Sequence, residues 1–145
     1  TTMQYFQNRE EMRQFYCECW RKHQQQEICQ PIEQQIIGIM LLHPEYHSFF
    51  EQNEQATQRD FHPQLGETNP FLHIALHLTL AEQIQTDKLK GLKTLYENIC
   101  RRKQDSHIAE HLMIECLSSQ IWETQHNQTT FDDKKYLRCL RKLLK

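Results

Sequence analysis

Glycine and proline are scarce in this chain, with three glycines and four prolines among 145 residues. A β-sandwich or β-barrel needs many tight turns, and such turns draw heavily on these two residues. The scarcity therefore argues against both architectures. Glutamine, glutamate, leucine, isoleucine and lysine, which suit helices, are frequent instead. A chain of this length is expected to form one domain, residues 1–145, with a core of its own.

The sequence also lacks a long apolar run and a strong net charge. A bilayer-spanning helix needs about 20 apolar residues, and the longest apolar windows, 36–42 and 71–80, are too short or contain histidine. Residues 1–11 lack the basic and apolar regions of a signal peptide. We therefore expect a cytoplasmic protein with no membrane partner. The net charge of −2 does not favour nucleic acid as a partner, and the basic run in 134–145 is typical of a solvated helix face.

The six cysteines show no C-x-x-C spacing. They are Cys17, Cys19, Cys29, Cys100, Cys116 and Cys139. In a reducing compartment such residues are mostly small buried side chains, so we expect all six to be reduced. A redox or zinc–thiolate site is the alternative, but zinc-ribbon spacing is absent.

Apolar residues recur at helical spacing in each segment, and no segment alternates as a strand does. This pattern predicts an all-α fold, a helical bundle of five to seven helices. Pro31 and the pair Asn69-Pro70 are helix start signals, and Asp132 is predicted to open the last helix. A helix from Pro70 to about residue 85 is apolar nearly all round, which is typical of a buried helix. A further helix is predicted to start at Thr86 or Asp87, and whether it runs on into residues 106–125 stays open.

Histidine is the unusual feature of the sequence. Six of the nine histidines form three pairs at i,i+4 spacing, namely His43/His47, His73/His77 and His107/His111. Two imidazoles four residues apart lie on one helix face and can reach one metal ion. Glu115 continues the third pair by four more residues. We therefore predict a divalent transition-metal site formed by His73, His77, His107, His111 and Glu115. Imidazole and carboxylate suit Zn, Ni, Fe or Mn, and the sequence does not choose among them.

The pair His43/His47 is the alternative set of ligands. It is placed second because Pro44 interrupts the helix between its members, so the two rings need not lie on one face. His23, His62 and His126 are predicted to lie on the surface. The competing interpretation is a non-enzymatic structural or protein-interaction module whose histidines form buried polar networks, since buried polar groups need partners. The sequence does not decide whether the protein is an enzyme. It identifies no substrate, catalytic residue or partner, and it does not determine whether the protein forms a homo-oligomer.

Three segments carry a family resemblance. They are His43-Pro44-Glu45-Tyr46-His47, residues 69–78, and residues 107–117 followed by Ile121-Trp122-Glu123. Over nearly its whole length the chain resembles DUF1841, a bacterial family of uncharacterised proteins. The resemblance implies a small, bacterial, cytosolic helical protein. It implies no activity and no catalytic residues.

Overall fold

The computed structural model of the chain describes residues 9–51, 60–61 and 69–145. Within these ranges the chain forms seven α-helices and one 3₁₀ turn, Pro44–Tyr46, and no strand. The helices are α1 (Arg9–Gln24), α2 (Pro31–Leu41), α3 (His47–Glu51), α4 (Pro70–Thr86), α5 (Leu92–Lys103), α6 (Ser106–Asn127) and α7 (Asp133–Lys142). The predicted all-α fold of five to seven helices is confirmed for the described part of the chain.

The chain divides into two compact units, residues 1–75 and 76–145, and the division falls inside α4. The prediction that residues 1–145 form one domain stays a prediction. No helix in the described ranges is long and apolar enough to cross a membrane.

The first unit is organised by the inner face of α1. Tyr16 and Trp20, one turn apart, are buried on this face. The Trp20 ring contacts Phe50 of α3 with centroids 6.2 Å apart, and Phe50 meets Phe71 at the start of α4 at 5.8 Å. The guanidinium of the buried Arg13 lies over the Phe71 ring, 5.1 Å from its centroid. Aromatic packing therefore connects α1, α3 and the first turn of α4.

The ends of α2 follow the sequence signals. Pro31 occupies the first turn, and the Glu33 carboxylate accepts a hydrogen bond from the backbone N–H of Gln30 at 2.7 Å. Lys22 of α1 forms an ion pair with Glu33 at 2.8 Å. At the other end α2 stops at Leu41, before Pro44, because a residue preceding proline avoids helical geometry. The predicted effect of Pro44 on this helix is confirmed.

The second unit contains the rest of α4 with α5, α6 and α7. Its buried core is mainly aliphatic: Leu76, Leu80, Leu92, Ile99, Ala109, Met113, Ile114, Cys116, Leu117, Tyr136 and Leu140. The hydroxyl of the fully buried Tyr136 donates a hydrogen bond to Gln83 of α4 at 2.8 Å. This bond satisfies a polar group that would otherwise be costly to bury.

Two helix boundaries in the second unit were not resolved by the sequence. The predicted helix start at Thr86 or Asp87 is wrong, because α5 begins at Leu92. Asp87 and Gly91 both have positive φ, 47° and 90°, which breaks the helical path between α4 and α5. Helices α5 and α6 are separate: Gln104 is left-handed, and the Asp105 carboxylate caps α6 by accepting from the N–H of His107 at 2.8 Å.

The prediction that all six cysteines are reduced is wrong for one pair. Cys116 of α6 and Cys139 of α7 form a disulfide, with their Cα atoms 5.9 Å apart. Their sequence separation of 23 carries no local signal, since only the packing of two helices brings them together. The other four cysteines are free thiols, as predicted.

Asn69 should stabilise α4 measurably. Its side-chain oxygen accepts hydrogen bonds from the N–H groups of Phe71 at 3.1 Å and Leu72 at 3.2 Å, so the predicted N-cap is confirmed. We expect Asn69→Ala to lower the free energy of unfolding by about 1 kcal/mol. Urea unfolding followed by circular dichroism would measure this. The control is Gln85→Ala at an exposed position near the other end of α4, and equal stability of the two variants would contradict the prediction.

Candidate metal site

Helix α4 carries two of the predicted ligands, His73 and His77, one turn apart. The N-cap at Asn69 and Pro70 in the first turn fix where the helix starts, and with it the direction of every later side chain. Apolar residues flank the two histidines in the helix sequence, and His77 is only 5% exposed. An imidazole held so far from water needs a polar or metal partner.

In the first unit, His43 packs against His73. His43 follows the end of α2, where its backbone N–H donates to the Met40 carbonyl at 3.0 Å, and its side chain is buried. The two imidazole rings meet edge to face with centroids 4.6 Å apart. Tyr46 stacks on His43 at 5.3 Å. The Nδ1 atom of His43 lies 3.0 Å from a carboxylate oxygen of Glu45.

In the second unit, His111 of α6 packs against His77. Their ring centroids are 5.2 Å apart. The His107 ring contacts the His111 ring as well, with centroids 4.3 Å apart. Glu110 places one carboxylate oxygen 3.9 Å from His77 Nδ1. Its other oxygen accepts a hydrogen bond from the Tyr96 hydroxyl at 3.1 Å.

Each histidine of α4 therefore has a second imidazole ring packed against it. Two pairs of histidines each bring ring nitrogens within 4.8 Å, His43 with His73 in the first unit and His77 with His111 in the second, and the two pairs together are called the group of four. The donor set consists of imidazole nitrogens, which suit Zn, Ni, Cu and Fe. No cysteine belongs to this group, so in the described part of the chain the zinc–thiolate alternative gains no support.

The structure places the predicted ligands as follows. His73, His77 and His111 belong to the group of four, whereas His107 reaches it only through its ring contact with His111. Glu115 is exposed to solvent and lies outside the group. The metal-binding roles of all five residues stay predictions.

The alternative pair is split. His43 belongs to the group, whereas the Nε2–H of His47 donates to the Met40 carbonyl at 2.8 Å and its ring lies 4.1 Å from that of Trp20. His23 and His126 are exposed as predicted, and His62 lies outside the described residues. Sequence reasoning missed Glu45, Tyr96 and Glu110, and the spacing His43-x-Glu45 was a weak signal for the first of them.

Comparison with known proteins agrees with the sequence resemblance. The family model described as "Domain of unknown function (DUF1841)" matches residues 8–142. The chain belongs to the DUF1841 family. All four histidines of the group lie within the matched segment of this DUF1841 chain. Neither the curated proteins nor the solved structures gave a match.

Proposed function

We propose that this DUF1841 protein binds a transition-metal ion through His77 and His111 of the second unit. The observation that supports the proposal is that one ring nitrogen of His77 and one of His111 lie within 4.8 Å of each other. Zinc–imidazole bonds of about 2.0–2.1 Å in a tetrahedron place the nitrogens about 3.4 Å apart. Small side-chain rotations would therefore be enough to bring both nitrogens of this pair onto one ion.

The burial of His77 supports the same proposal. His77 is 5% exposed, and in protein interiors polar groups are hydrogen-bonded while charges are paired or coordinate metals.

A structural polar network is the second candidate. The contacts of His43 with Glu45 and of Tyr96 with Glu110 favour it, since both would exist without a metal. In this case the histidines only complete hydrogen bonds between helices, and the protein is a non-enzymatic structural or interaction module.

Metal content separates the two candidates. Protein purified without chelator and without a histidine-rich tag should contain about one transition-metal ion per chain by elemental analysis. Metal-free protein should then bind one equivalent of Zn²⁺ at neutral pH in a calorimetric titration. His126→Ala is the matched control, because His126 is exposed and outside the group, and its stoichiometry should be unchanged. Failure of the wild-type protein to bind any of Zn²⁺, Ni²⁺, Cu²⁺, Fe²⁺ and Mn²⁺ would overturn the proposal in favour of the structural network.

We propose a cytoplasmic location, as expected from the sequence. The disulfide between Cys116 and Cys139 argues in the other direction, because the cytosol keeps most thiols reduced. Thiol labelling in intact cells, followed by mass measurement, distinguishes the two: a cytoplasmic protein should carry labels on both cysteines.

A further inference from the structure

We propose, independently of the metal site, that the outer face of α7 binds a segment of another protein that carries several carboxylates. Residues 133–145, which contain α7, hold six of the 17 basic residues of the chain and one of its 19 acidic residues. The remaining residues have 18 acidic and 11 basic side chains. Helix α7 is therefore a basic helix in an otherwise acidic chain, and this asymmetry points to a partner of opposite charge.

The basic side chains of α7 lie on one face of the helix. At about 100° per residue, Lys134, Arg138 and Arg141 fall within an arc of about 60°. These three side chains are exposed, and so is Lys142 at the border of the arc. Tyr136, on the opposite side of the helix, is buried in the core of the second unit. The helix thus presents a cationic outer face over a length of about 10 Å.

The cations of this outer face have no carboxylate partner within the part of the chain that the structure describes. Of the basic residues of α7, only Lys135 forms an ion pair there, with Glu123 of α6 at 3.0 Å. Asp132, which precedes the helix, accepts a hydrogen bond from the backbone N–H of Lys135 at 3.1 Å, so its carboxylate caps the helix. The charges of the outer face therefore remain available to a partner.

Two neighbouring arginines favour carboxylates as the contacting groups. Arg138 and Arg141 are about one turn apart, and a guanidinium forms two parallel hydrogen bonds with a carboxylate. Phosphate offers the same geometry, but a nucleic acid carries its charge well beyond this face, and the acidic remainder of the chain repels it. A short acidic segment contacts the basic face alone. Protein carboxylates are therefore the better match.

A lipid surface fits this helix less well. An amphipathic helix binds a bilayer by burying its apolar face. The apolar face of α7 is already packed within the second unit, where Leu140 is fully buried and Cys139 is bonded to Cys116 of α6. The outer face has only charged side chains to offer a membrane.

Fluorescence anisotropy with a labelled hexaglutamate peptide tests the proposal at neutral pH and low salt. The wild-type protein should bind this peptide, and added salt should weaken the binding, because salt screens exposed charges. The double variant Arg138→Gln, Arg141→Gln should bind about 10-fold more weakly, since it loses two exposed ion pairs. The matched control Arg101→Gln, Arg102→Gln removes the same charge from two exposed residues of α5 and should bind like the wild-type protein.

Four results would overturn the proposal. The first is a wild-type protein that does not bind the peptide at low salt. The second is an equal loss of affinity in both double variants, because binding would then follow net charge and not this face. The third is tighter binding of a duplex DNA oligonucleotide or of phosphatidylserine vesicles at the same salt concentration. The fourth is self-association that the α7 double variant abolishes, which would assign the face to a second copy of the chain. Circular dichroism of each variant shows that it has folded.

Discussion

His77→Ala should reduce the affinity for Zn²⁺ by more than about 100-fold, because a lost ligand must cost more than the 10–100-fold expected for an outer-shell partner. His77 is the most enclosed histidine of the second unit and contacts His111 directly. Removing its ring leaves one imidazole of the proposed pair. Competition with a chromophoric zinc chelator would measure the change.

A pair of controls makes this experiment specific. His111→Ala should give a similar loss, whereas His107→Ala should have a smaller effect, since His107 contacts the His111 ring without belonging to the group of four. Equal losses for His77→Ala and the exposed His126→Ala would show that binding occurs elsewhere on the chain. Thermal melting of each metal-free variant would show whether a loss reflects unfolding.

Breaking the disulfide between Cys116 and Cys139 should lower the free energy of unfolding by about 3 kcal/mol, as expected for a cross-link that closes a loop of this size. This is a large fraction of a typical net stability of about 5–15 kcal/mol. Urea unfolding of the wild-type protein with and without reductant would measure the loss.

The double variant Cys116→Ser, Cys139→Ser is the matched control for the disulfide. It should be less stable than the oxidised wild-type protein, and reductant should not change its stability. Wild-type protein that unfolds at the same urea concentration with and without reductant would contradict the prediction, as would six free thiols in protein unfolded without reductant.

The helices were largely predictable because their signals are local. Asn69-Pro70 and Asp132 mark helix starts through hydrogen bonds made within one turn, and the structure confirms both. The start of α5 was not predictable in the same way. Its position depends on backbone turns at Asp87 and Gly91, and the intervening residues are compatible with a helix.

The candidate site was predictable only in part. Spacing brought His73 and His77 to one face of α4, but the ring contacts with His43 and His111 depend on tertiary packing. For Glu115, the i,i+4 spacing was not enough to predict on which helix face the side chain lies. Each step of four residues turns about 40° beyond a full circle, so Glu115 is rotated about 80° from His107 and reaches solvent.

Pro44 has a consequence for how histidine spacing is interpreted. A proline between two histidines four residues apart separates their directions, so a motif that would chelate one ion on a continuous helix becomes two independent side chains. His43 turns towards His73, and His47 closes a hydrogen bond to the end of the preceding helix. The same sequence spacing thus gives one candidate metal ligand and one side chain that hydrogen-bonds to the backbone. The different directions of the two side chains follow from the backbone break between them.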